Sequence, residues 1–204
     1  MKKDLRDHLK VFDKLNIYCW IAGGSVYDYF NGNKPVDIDI FFKSEKDLNK
    51  AKDLLKRKGF KFIVDRNIGA LFESKDGVKY DLLFLGKSPE HVFYNFFDFS
   101  VCCAAIDNKG NFFYHENYFE HCENKEIHYV ETISKAFILK HKRLKKYLNK
   151  GFSIDRDNLI LWMEKVNTDN KEIRKKPFSA KQVPFMKIDK NNLKFNIIKT
   201  KLKP

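Results

Sequence analysis

Cysteine is sparse in this chain: four in 204 residues, Cys19, Cys102, Cys103 and Cys122, with no CxxC pair and two of them adjacent inside an apolar run. That spacing argues against a disulfide framework or a structural zinc cluster and predicts reduced, buried thiols. Long apolar runs are missing too. None approaches the ~20 residues a membrane span needs, and the opening MKKDLRDHLK enters an amphipathic pattern with no signal-peptide core. The expectation is a soluble cytoplasmic protein with no membrane partner. Arginine is scarce, six of the 40 Lys+Arg, and alanine is rare beside lysine and phenylalanine. Such a bias follows AT-rich coding, as in phages or low-GC bacteria, and carries no functional weight by itself. Several reactive motifs are absent as well: no GxxxxGK[ST] phosphate loop, no GxSxG nucleophile elbow and no HExxH.

What is present is positive charge, unevenly placed. The formal net charge is +13, yet residues 134–150 alone carry seven Lys/Arg and no acid, and residues 167–204 carry eleven against three acids. The rest of the chain is nearly neutral. Concentrated basicity of this kind predicts a polyanionic partner such as a nucleic acid, without choosing between RNA and DNA.

Apolar spacing and turn residues give the organisation. Helices are predicted over 4–15, 25–30, 44–58, 88–96, 132–149 and 155–166, with Ser25 and Ser44 at N-terminal capping positions. Strands are predicted over 17–22, 36–42, 60–64, 70–73, 78–85, 100–106 and 112–114. The pattern is α/β to about residue 130, then two helices, then an extended basic end. The corresponding units are an α/β domain over 1–130, a helical basic segment over 131–166 and a basic extension over 167–204.

The stretch IAGGSVYDYFNGNKPVDIDIFF, residues 21–42, carries the chemistry. Asp37 and Asp39 sit at i and i+2 of a strand, so both side chains leave the same face, about 7 Å apart at the backbone. Like charges so close repel, and a divalent cation relieves the repulsion: Mg²⁺ takes carboxylate oxygens and keeps sites for water and phosphate. Asp81, flanked by Tyr80 and Leu82 in a later strand, would complete a three-acid site for two Mg²⁺ ions, with Mn²⁺ as a substitute. That chemistry is in-line displacement at phosphorus. Gly23, Gly24 and Ser25 form a strand-to-helix turn whose backbone N–H groups suit a triphosphate. His115, His121, Cys122 and His128 fall within fourteen residues but lack metal-ligand spacing and read as loop residues. The Phe/Tyr cluster from Phe93 to Phe119 reads mainly as core.

In this order, Ala22-Gly23-Gly24, then Asp37-Ile38-Asp39-Ile40, then Tyr80-Asp81-Leu82 resemble the nucleotidyltransferase superfamily typified by DNA polymerase β. Gly23 to Asp28 resembles the GGxVRD of tRNA nucleotidyltransferase and bacterial poly(A) polymerase heads. Phe97-Asp98-Phe99-Ser100-Val101 is similar to their RDFTI, and Arg143 to Asp155 to the arginine-bearing helix leading to GF-x-ID. The resemblance implies a mixed β-sheet with packed helices. It also implies transfer of NMP from an NTP to an acceptor hydroxyl, with the 3′ end of an RNA such as tRNA as acceptor. Alternatives are nucleotidylation of a protein or small molecule, including a toxin-like transferase, and a non-catalytic RNA-binding relic. Tyr27 stands where the family has Arg, and Phe96 and Phe97 replace two more. The substitutes predicted for those cations are Arg143 and Lys146, three apart on one helix.

Overall fold

The computed structural model of the chain describes residues 4–35, 37–130, 140–175 and 195–198. Within these, eight strands form one mixed sheet: β1 (Cys19–Ala22), β2 (Asp37–Phe42), β3 (Lys61–Arg66), β4 (Gly69–Glu73), β5 (Lys79–Leu83), β6 (Ala104–Asp107), β7 (Phe112–His115) and β8 (Phe195–Ile198). The order across the sheet is β3-β4-β5-β2-β1-β6-β7-β8. β2 and β5 run parallel, and the other pairs are antiparallel. The helices are α1 (Gly24–Phe30), α2 (Glu45–Arg57), α3 (Pro89–Phe96), α4 (Tyr118–Glu123), α5 (Lys140–Leu148) and α6 (Arg156–Lys175). This is the mixed sheet with packed helices that the sequence implies.

Period-2 alternation decides what each face of the sheet carries. Ile38, Ile40 and Phe42 of β2, Ile21 of β1 and Leu82 of β5 belong to one core. There α2 contributes Leu48, Ala51 and Leu55, and the N-terminal turns contribute Leu5, Leu9 and Phe12. Trp20, Ala22 and Phe41 belong to a second core on the opposite face, with Phe93 and Phe96 of α3, Leu144 and Tyr147 of α5, and Trp162 of α6. Each large apolar side chain buried in this way stabilises the fold by roughly 1.5–3 kcal/mol. Asp37 and Asp39 alternate with Ile38 and Ile40, and Asp81 sits between Tyr80 and Leu82. All three acids therefore share the second face, the one on which α5 packs.

Caps fix where helices begin. Ser44 accepts a hydrogen bond from the Asp47 N–H, as expected from sequence, and Ser88 accepts one from the His91 N–H. Ser25 does not cap: Gly23 takes that position and Ser25 lies buried in the first turn of α1. Residues 4–15 form two short 3₁₀ helices, Leu5–His8 and Lys10–Leu15, in place of the predicted α-helix. Asp4 and Asp7 exchange side-chain bonds with each other's backbone N–H and tighten the first turn. The strand predicted over 100–106 is a 3₁₀ turn, Ser100–Cys102, followed by β6. Its residues are buried on every side, so no alternation distinguishes the two forms.

The C-terminal half differs most. α6 continues to Lys175, past the boundary placed at 166, because the next helix-breaking residue is Pro177. β8 pairs with β7 in register Phe112↔Ile198 to His115↔Phe195, so part of the basic extension joins the sheet. The predicted helix over 132–149 is described from Lys140 onward, and its first residues, like 176–194 and 199–204, lie outside the described residues. No helix among the described residues is long and apolar enough to cross a membrane.

Gly69 sets how closely β4 and β5 approach. A β-carbon there would stand 2.1 Å from the Leu82 carbonyl oxygen. Gly69→Ala is expected to destabilise the fold by about 1–3 kcal/mol, read as a lowered Tm by circular dichroism. An unchanged Tm would contradict this packing.

Candidate active site

The parallel register of β2 and β5 makes Asp39 and Asp81 direct neighbours, with Asp37 opposite Lys79 one pleat away. Adjacent strands lie about 4.8 Å apart, so two carboxylates leave the sheet side by side. Asp37 is exposed, while Asp39 and Asp81 are partly buried. Burial, followed by the neighbouring Asp81 charge, pushes the Asp39 carboxyl up to about 6. Burial also raises Asp81, against the pull of Arg66. The Asp81 Oδ2 accepts from an Arg66 N–H at 2.5 Å, while its Oδ1 is buried without a partner. Among the described residues no three acidic, histidine or cysteine side chains already form a metal cage. The donor set nonetheless fits a hard divalent cation: aligned carboxylates, one orphaned buried oxygen, and a pKa raised by burial and then by a neighbouring like charge.

Gly23 and Gly24 sit where β1 turns into α1. Gly23 has φ +83°, a conformation that glycine adopts without strain. A β-carbon on it would press on the Phe97 ring at 3.3 Å, and one on Gly24 would meet the Lys146 ammonium at 3.2 Å. The glycine pair thus makes room for a ring on one side and a cation on the other. Between these groups lies a cavity of about 270 Å³ bounded by Gly23, Gly24, Asp39 and Phe97, with Lys142, Arg143, Lys146 and Tyr147 from α5. Cys102 also lines it.

Of the residues singled out from sequence, Gly23, Gly24, Asp39, Arg143 and Lys146 meet at this cavity. Asp37 and Asp81 lie on the same sheet face but outside its lining. Ser25 is buried with its Oγ unpartnered and does not line the cavity. Lys146 is exposed and, among the described residues, has no carboxylate in ion-pair range; its charge and that of Arg143 act on Asp39 from a distance. Arg143 is differently employed. It donates to the buried Asp98 carboxylate and to the Phe96 carbonyl, and its guanidinium lies 5.8 Å from the Phe97 ring centre. It therefore fastens α5 to the α3–β6 connection while one side faces the cavity.

Three participants escaped the sequence reading. Arg66 is the ion-pair partner of Asp81, and its only signal in sequence is that arginine is rare. Phe97 replaces an expected arginine and supplies the cavity wall. Tyr27, at another expected arginine, is buried, and its hydroxyl is bonded to the Lys125 ammonium. Lys150 pairs with the adjacent Asp28 at 2.5 Å and lies over the Tyr27 ring. His121 and His128 stack with ring centres 3.7 Å apart, and His121 bonds to Ser100; both serve the packing of the loop after α4.

A family model described as "Gad2: Gabija anti-defense 2 family protein" matches residues 1–125. A curated relative, Gabija anti-defense 2 of Bacillus phage SPbetaL7, is 29% identical over 145 residues, 69% of this chain and 35% of the relative. The chain thus spans about a third of that relative's length. Among solved structures, the Thermotoga maritima CCA-adding enzyme complexed with tRNA superposes with a TM-score of 0.63 at 21% identity, over 80% of this chain and 41% of that one. A CCA-adding enzyme with CTP gives 0.62 at 18% identity, over 85% and 47%. A tRNA nucleotidyltransferase with a primer tRNA and an ATP analogue gives 0.58 at 18% identity, over 82% and 52%. The fold is that of a nucleotidyltransferase head, as the sequence resemblance implies.

The raised Asp39 carboxyl predicts a pH dependence. From its ordinary value of 3.8 up to about 6, the folded state holds a proton that the unfolded state has already released. Stability therefore falls as pH rises through that window and stays lower above it. In EDTA, Asp39→Asn is expected to raise Tm at pH 7.5 and to leave it nearly unchanged at pH 4, measured by differential scanning fluorimetry. Equal effects at both pH values would contradict the charge crowding.

Proposed function

The chain belongs to the Gabija anti-defense 2 family, and we propose that it is a metal-dependent nucleotidyltransferase, moving NMP from an NTP to an acceptor hydroxyl with release of pyrophosphate. The observation that carries this reading is the β2–β5 register, which sets Asp39 beside Asp81 on the face that α5 covers with cations. Residues 1–130 are the catalytic unit in this reading, and the basic segments that follow engage the substrate.

Asp37 and Asp39 would hold two Mg²⁺ ions, and Asp81 would help to hold the one that activates the acceptor hydroxyl. When bound, the ions supply a lowered pKa for the attacking hydroxyl and charge stabilisation for the leaving oxygen. The chain's own groups do the rest. The backbone at Gly23 and Gly24 lets the triphosphate approach closely, and the Lys146 ammonium, poised over Gly24, meets its charge. Arg143, locked by Asp98, presents a fixed cationic surface beside the Phe97 ring, so the phosphates meet donors that need no reorganisation. Lys142, Lys145 and Lys146 are exposed on α5, next to the cavity, and favour an RNA acceptor whose backbone follows that helix.

A second reading has its own support. The phage relative is named for opposing a defence, which favours an acceptor hydroxyl on a protein of that defence over a tRNA end. Both readings use the same acids and differ in what reaches Asp81.

Incubation of the full chain with each labelled NTP, Mg²⁺ and separate pools of RNA and host protein tests the proposal. We expect label in one pool, with Asp37→Ala, Asp39→Ala and Asp81→Ala each lowering incorporation by on the order of a hundredfold or more. Lys146→Ala is expected to raise the KM for NTP more than it lowers kcat. Absence of magnesium-dependent incorporation from every NTP into every pool would overturn the assignment.

A further inference from the structure

Arg66 is the last residue of β3, two strands from Asp81, with β4 between them. Its side chain crosses β4 where its direct neighbour is Gly69, which offers no side chain to obstruct it. Strand alternation explains the direction. Asp65 turns to the α2 side, where it pairs with Lys52 at 2.7 Å, so Arg66 turns to the face that carries the acids. There one N–H reaches Asp81 Oδ2 at 2.5 Å.

Three features mark this contact as more than a surface ion pair. Among the described residues, Arg66 is the one cation in ion-pair range of any of the three aspartates. The grip is one-pronged: Oδ1 stays buried and unpartnered, although a guanidinium can hold both oxygens. The two partners are unequally exposed, the Arg66 side chain at 43% and Asp81 at 18%. Arg66 can thus withdraw into solvent at little cost, whereas Asp81 cannot leave the sheet. A partly exposed pair of this kind is weak, and a divalent cation bound by several carboxylates readily exceeds it.

We propose that Arg66 is an exchangeable counter-ion for Asp81: it neutralises the third carboxylate in the metal-free protein and is released as the divalent cation is taken up. Loading of the acid trio is then a competition, because the guanidinium occupies one of the two Asp81 oxygens and its charge repels a second cation nearby. The inference rests on the acids being a metal site, as proposed above, and adds the residue that sets when the site fills.

Mn²⁺ binding to the metal-free full chain, followed by electron paramagnetic resonance at low salt, tests it without reference to activity. Arg66→Gln is expected to bind Mn²⁺ roughly two- to fivefold more tightly than the parent, and Arg66→Lys to stay near the parent. In EDTA, Arg66→Gln should melt lower than the parent, and saturating Mn²⁺ should close the gap. Unchanged or weaker Mn²⁺ binding by Arg66→Gln, with the parent binding normally, overturns the exchange and leaves the metal site standing. No Mn²⁺ binding by parent or variant overturns both.

Discussion

Asp39 and Asp81 stand side by side because backbone hydrogen bonding between β2 and β5 leaves them nowhere else to go. Two carboxylates in that position repel, and the surrounding structure compensates. Arg66 reaches across β4 from one side, while Lys146 and Arg143 bring positive charge from α5 on the other. The glycine turn after β1 keeps the space between α5 and the sheet open. A site held at electrostatic cost in this way is what is expected where function opposes stability.

The chain also shows how the arginines of the resembling family are replaced. At Tyr27 the guanidinium gives way to an aromatic ring, with Lys125 on its hydroxyl and Lys150 over its face. At Phe97 the side chain becomes a wall and Arg143 lies against it. Positive charge is thus supplied at Tyr27 by Lys125 and Lys150 and at Phe97 by Arg143 of α5. Arg143 illustrates the double demand. The buried Asp98 carboxylate holds it in place, so its loss would leave an uncompensated buried charge as well as a thinner cationic surface.

Much of this was legible in sequence where periodicity and chemistry agree. Alternation along Asp37–Phe42 placed the acids on one face, Ser44 and Ser88 marked helix starts, and the glycine pair marked the turn. Legibility failed where local signals were silent. The run at Ser100 is buried on all sides, so alternation carried no information. Ser25 looked like a cap, but Gly23, with its positive φ, already occupied the boundary. Arg66 could not be assigned because its role depends on a strand order that no local pattern encodes, and β8 depends on a pairing with β7 eighty or more residues earlier.

The parallel pairing of β2 with β5 has a consequence for how the molecule comes into being. A parallel pair cannot close through a tight hairpin; here α2, β3 and β4 intervene. Contacts between segments so far apart along the chain form slowly, because loop closure costs entropy before the pairing repays it. The β3–β4 and β4–β5 hairpins can form early, but the two acids meet only when β5 docks beside β2. A nascent chain therefore has no half-built version of this carboxylate pair, which appears at one step, when the central strands join.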